Sequence, residues 1–180
     1  MIFTIDFETE AIVKGSDSTP TPVGVSIKHG DAPSEYLCWR HPTNNNSTFE
    51  KASKILHDIN RCPLLFHNAK FDVRIMMEHF NIRDIPVIHD TMLMAYIIDP
   101  RESSLCLKQL ADKYLDMPPD EQTELKEWIV ANVRKATEKT WGEYISHSPG
   151  DLAGKYAEGD TDRTYLLCQK FLPIIKEGCL

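Results

Sequence analysis

The chain opens on an apolar run that carries its own carboxylates: Ile2-Phe3-Thr4-Ile5-Asp6-Phe7, followed by Glu8 and Thr9. No other feature constrains the fold as much. Near-continuous β-branched and aromatic residues predict a buried strand, which needs covering layers on its faces. The period of two then sends Asp6 and Glu8 out on the same side, at the strand's end. Two carboxylates side by side repel, and each is costly to desolvate without compensation. A divalent cation relieves both costs. Acids at a strand-to-loop junction on the surface fit the pair equally well, so the pair alone leaves the chemistry open.

The rest of the chain supplies those layers. Residues 14–22 are turn chemistry, and residues 23–28 and 35–40 read as strands around a Gly30-Asp31 turn, completing an antiparallel meander. Residues 42–47 form a loop, and Ser47 or Thr48 caps a helix to about Asn60. A short apolar strand at 62–66, a helix at 71–79 and a strand at 86–89 follow. From Thr91 onward the pattern is helical. Leu105, Leu107, Leu110, Ala111, Tyr114 and Leu115 recur at helical spacing before Pro118-Pro119. Further helices are predicted at 121–136, around Tyr156 after the Ser148-Pro149-Gly150 turn, and at 161–176. There is no internal repeat or low-complexity linker. The expectation is one α/β domain over residues 1–180, with a mixed five-stranded sheet flanked by helices.

Two more segments carry chemistry. His67-Asn68-Ala69-Lys70-Phe71-Asp72 follows an apolar strand, with Asn68 suited to a turn and Asp72 near a helix start. An acid there is also what the helix dipole favours by itself. In Tyr156-Ala157-Glu158-Gly159-Asp160, a spacing of four puts the tyrosine and Asp160 on one helix face. A hydrogen-bonded packing pair has the same spacing. Glu158 and Asp162 lie nearby but off that face. His67, His79 and His89 form no zinc spacing and read as packing or turn residues.

Composition sets bounds. The net charge of −7 argues against tight, extended duplex binding by this chain alone. Two divalent cations on the acids would move it to −3. No apolar run reaches the ~20 residues of a membrane span, and no signal peptide is visible. Five cysteines at wide, unpaired spacings suit reduced thiols. The expected location is therefore cytoplasmic, with no membrane partner.

What decides among the open readings is conjunction: three signals, in order, each at an element end where side chains can converge. The segments resemble the three motifs of the DEDD 3′–5′ exonucleases, in the subclass with a tyrosine four residues before the last aspartate. Asp6 and Glu8 match the first motif with Thr9 following, Asn68 and Phe71-Asp72 the second, and Tyr156 and Asp160 the third. The stretch from His89 through Tyr96 to Asp99-Pro100, then Ser104 to Ala111, is similar to the proofreading domain of family A DNA polymerases. The similarity runs from Ile2 to about Ile175 and is nearer to phage-type members.

The resemblance implies a ribonuclease H-like fold and a metal-dependent 3′–5′ exodeoxyribonuclease that proofreads for a DNA polymerase. Its cofactors would be two Mg²⁺ or Mn²⁺ ions some 3.5–4 Å apart, held by oxygen ligands. Asp6 would bridge them, with Glu8 and Asp160 on the first and Asp72 mainly on the second through water. Tyr156 would orient the attacking water, since a phenol of pKa ~10 is a poor base. Phe7, Thr9 and Asn68 would hold the terminal nucleotide. The partner would be a single-stranded or frayed 3′ end of DNA. The resemblance also implies a polymerase domain C-terminal to this chain, beyond Glu177-Gly178-Cys179-Leu180. Two alternatives share the fold: an exoribonuclease of the ribonuclease D or oligoribonuclease type, and a non-catalytic nucleic-acid-binding domain.

Overall fold

The structure, a computed structural model, describes residues 2–178. Its strands are β1 (Phe3–Thr9), β2 (Pro22–His29), β3 (Glu35–Cys38), β4 (Leu64–Phe66) and β5 (Val87–Asp90). They form one five-stranded sheet in the order β3-β2-β1-β4-β5. The first three pair antiparallel, whereas β4 runs parallel to both β1 and β5, so the sheet is mixed. The helices are α1 (Phe49–Ile59), α2 (Ala69–Phe80), α3 (Thr91–Ile98), α4 (Leu107–Leu115), α5 (Asp120–Asn132) and α6 (Gly150–Gly178). None is long and apolar enough to cross a membrane.

Alternation along the strands sorts the layers. Ile5 and Phe7 of β1 join Val25, Leu64 and Phe66 in a core completed by α1 and α2. Leu65, one residue out of phase in β4, packs instead with Met94, Leu110, Leu167 and Phe171 from α3, α4 and α6. The same parity puts Thr4, Asp6 and Glu8 on the α6 side of β1. A register shift follows Glu8, where Thr9 pairs with Pro22. Such an irregularity frees the strand end from the ladder and re-aims it.

Several expected boundaries move. Thr48 is the α1 cap, its hydroxyl accepting from Lys51 N–H. Helix α2 begins at Ala69, two residues before the expected start. Helix α5 ends at Asn132, and a 3₁₀ segment, Trp141–His147, occupies a stretch with no clear period. The two helices expected around Tyr156 and over 161–176 are one helix of 29 residues, α6. Gly159 invites a break, because a mid-helix glycine costs about 1 kcal/mol. Burial of Ala153, Ala157, Thr161, Thr164, Leu167, Cys168 and Phe171 along one face overrides it. Pro173 lies within its last turns. The Cys179-Leu180 end lies outside the described residues. Among those described, Cys38, Cys62, Cys106 and Cys168 are free thiols.

Candidate active site

Helix α6 crosses the sheet face that carries Asp6 and Glu8, and polar contacts add to its apolar packing there. The Ser26 and Thr161 hydroxyls lie 2.8 Å apart. Glu158 accepts from Tyr36 N–H at 3.0 Å. Asp162 accepts from Ser34 Oγ at 2.6 Å and pairs with Lys28 at 2.9 Å. The two acids that flank Asp160 in sequence thus attach the helix to β2 and β3. At the start of α6 the approach is closer still: a Cβ on Gly150 would meet Asn44 O and Cys38 Sγ at 2.6 Å, so only glycine fits.

This attachment brings Asp160 over β1. Ligand oxygens of Asp6, Glu8 and Asp160 all lie within 4.8 Å of one another. Glu8 is 7% and Asp160 7% exposed, and Asp6 is half-buried. Burial pushes the Asp6 carboxyl up from 3.8 to about 6, against the pull of the Lys108 charge. Burial, then the charge of Asp6, push Glu8 well above the usual carboxylate range, opposed by Lys108. A folded chain that concentrates acids at this cost fits a hard divalent cation with oxygen ligands.

Asp72 is 2% exposed and stands one step aside. Strand β4 pairs with β1 only as far as Thr4, and Phe3 N–H donates to Pro63 O on that edge. Two periods further on, the Phe7 N–H has no strand partner there and donates to Asp72 Oδ1 at 3.1 Å. Burial and the Asp6 charge raise Asp72 well above its ordinary range, and this hydrogen bond opposes them. The helix that carries Asp72 is itself held by Asp90. Its two carboxylate oxygens accept from Asn68 N–H (3.0 Å), Ala69 N–H (2.8 Å) and Met92 N–H (2.9 Å). One side chain therefore caps α2 and α3 together. Asn68 turns the chain into α2 with φ of 63°, a left-handed conformation that asparagine tolerates.

Tyr156 sits one turn before Asp160 on α6, its ring edge-on to Trp141 at 5.9 Å. Thr9 is half-buried, with its hydroxyl donating to Glu10 O at 2.9 Å. Phe7 is 5% exposed and its ring packs on Phe80 at 5.5 Å, so most of it belongs to the core. An open cavity of about 440 Å³ begins at this strand end, lined by Phe7, Glu8, Thr9, Ile12, Phe71 and Ile145 among others. A second, of about 360 Å³, is lined by Ile12, Thr19, Asn68, Lys70, Phe71 and Arg74. Ile12 and Phe71 border both. His67 is bolted in place, Nε2 to Leu105 O at 3.0 Å and Nδ1 to Thr91 Oγ1 at 2.8 Å.

Three contributors escape a reading of the sequence. Asp90 before an apolar helix is a cap signature that local inspection could have found. Ile12 lies in a loop with no pattern to single it out. Lys108, from α4, pairs with Asp160 inside the acid cluster, its side chain 15% exposed and its Nζ 4.1 Å from the Tyr156 ring centre.

A family model described as 3′–5′ exonuclease matches residues 2–176. The DNA polymerase of Escherichia phage T5 is 32% identical over 169 residues, which are 87% of this chain and 18% of that polymerase. The chain thus spans about a fifth of the length of that relative. Brucella melitensis NrnC superposes with a TM-score of 0.63 at 17% identity, over 98% of this chain and 74% of that one. One NrnC structure contains bound Mg²⁺. A Trypanosoma brucei RNase D complex with GMP gives a TM-score of 0.62 at 11% identity, over 95% of this chain and 50% of that one. At these identities the solved structures establish a shared ribonuclease H-like fold.

Proposed function

We propose, from the premise that this chain belongs to the 3′–5′ exonuclease family, that it removes nucleotides from unpaired 3′ ends of DNA by metal-assisted hydrolysis. The observation that carries this reading is the convergence of Asp6, Glu8 and Asp160 from two elements more than 150 residues apart at their extremes, with ligand oxygens within 4.8 Å. Asp6, Glu8 and Asp160 would hold one Mg²⁺ or Mn²⁺, and Asp72 would help hold a second from the α2 side. Such ions supply an activated water and stabilise the leaving oxygen.

The chain's own residues do the rest. Tyr156 Oη orients the water, its ring fixed by Trp141 and the helix. Thr9 and the apolar edges of Ile12 and Phe71 receive the terminal nucleoside in the 440 Å³ cavity, within the ~300–1,000 Å³ of small-molecule sites. Asn68, Lys70 and Arg74 line the path of the strand behind it, where two cations would face phosphates in a chain of net charge −7. Phe7 contributes through the core beneath rather than as a broad stacking surface. The likeness to the phage polymerase supports a polymerase domain as the natural partner.

The test is digestion of labelled single-stranded DNA, single-stranded RNA and a duplex with paired or mismatched 3′ ends, with Mg²⁺ and with EDTA. Release of 5′-mononucleotides from the 3′ end of DNA in Mg²⁺ only, faster from mismatched than paired ends, is expected. Melting each paired step costs ~1–2 kcal/mol, which sets the direction of that preference. Preferential degradation of RNA, or digestion undiminished in EDTA, overturns the reading.

A further inference from the structure

We propose that Lys108 is an internal counter-cation, which neutralises the carboxylate cluster when no metal is bound and is displaced by the first divalent cation to enter. It thereby sets the metal affinity of the site. The inference rests on the metal-binding reading above.

Position is the first argument. Lys108 pairs with Asp160, one of the three clustered carboxylates, and its charge acts on Asp6 and Glu8 as well. An ammonium and a divalent cation on the same carboxylate oxygens repel strongly at short range in a site shielded from water. Both cannot hold those oxygens at once.

Cost is the second argument. Lys108 is the second residue of α4, next to the positive end of the helix dipole. The first turn of α4 holds no acid, and its cap, Cys106, makes no side-chain hydrogen bond there. A cation in that place works against its own helix. Lysine is also seldom buried unless paired, and this side chain is 15% exposed. The acids across the gap are what offset both penalties.

The third argument is a contrast between two cations beside Asp160. Arg163 Nη1 lies 4.0 Å from Asp160, but its Nη2 donates to Pro118 O at 2.8 Å, and the residue is 2% exposed. That guanidinium is fixed. Lys108 reaches in on a flexible four-carbon stem from another helix, and its Nζ already rests against the Tyr156 ring, a contact that needs no carboxylate. Of the two, Lys108 is the one that can yield.

The experiment is calorimetric titration of Mn²⁺ into the protein at pH 8, comparing wild type with Lys108→Met, Lys108→Gln and Lys108→Arg, alongside melting in EDTA. Both neutral variants should bind Mn²⁺ at least about tenfold tighter than wild type, because one repelling charge is gone. Both should also melt below wild type in EDTA, where the cluster has lost its counter-ion. Lys108→Arg should bind no tighter than wild type. Should a neutral variant fail to fold in EDTA, the Mn²⁺ concentration that raises its Tm supplies the same ordering. Unchanged or weaker Mn²⁺ binding in the neutral variants overturns the proposal, whatever happens to cleavage. A wild type that takes up no Mn²⁺ overturns the metal-binding reading and this inference with it.

Discussion

The two sides of β1 differ as much as any two regions of the molecule. On one, Ile5 and Phe7 lie in an apolar core closed by α1 and α2. On the other, Asp6 and Glu8 face Asp160 and Lys108, and burial holds the Asp6 and Glu8 carboxyls at raised pKa. Neighbours on one strand thus serve opposite ends: one face contributes stability, and the other gives some up to keep charge in a confined place. Seven residues are enough because a strand's side chains alternate and the sheet insulates one layer from the other.

That contrast can be broken at several points. The largest effect is expected from the charged face. Asp6→Ala or Asp160→Ala should abolish cleavage while far-ultraviolet circular dichroism stays native, and the metal-free Tm of Asp6→Ala should not fall. Digestion at the wild-type rate by either variant, against a mock purification, would remove the assignment. Next comes Tyr156→Phe, expected to lose activity within the ~10²–10⁴-fold typical of positioned proton-handling groups, yet to remain measurable. A variant as dead as Asp160→Ala would mean that the hydroxyl does more than orient water, and a fully active one would remove it from the site.

The apolar face should respond in the other currency. Ile5→Ala, at a position 1% exposed, should cost about 2–5 kcal/mol in urea unfolding and leave kcat per folded molecule near wild type. A loss of kcat with little loss of stability would show that the two faces are not insulated. The smallest effect is in pH dependence. Because burial raises Asp6 from 3.8 to about 6, the folded metal-free protein binds that proton more tightly than the unfolded chain. Its stability relative to Asp6→Asn should therefore fall as pH rises from about 4 to about 6 in EDTA. Buried His41 and His67, shifted downward by burial, act in the opposite sense in both proteins and cancel in the difference. A difference that grows instead would place Asp6 in a better solvated setting.

Local pattern was sufficient for the strands, for α1 with its Thr48 cap, and for the side of β1 on which Asp6 and Glu8 emerge. Periodicity and capping act within one or two turns of chain, so a single sequence carries them. The pairing of Tyr156 with Asp160 on one helix face was legible for the same reason. Only the tertiary structure decided the rest. Gly159 invites a helix break, and burial of one face of α6 removes it. Asp72 reads as an ordinary helix-start acid until β4 ends early and leaves the Phe7 N–H for it to accept. Lys108 lies 52 residues before Asp160, on another helix, at a position its own helix disfavours, and nothing local announces it. Contacts of that kind arise when separate elements pack on the sheet, and the free energy that rewards them exists only once the layers have closed.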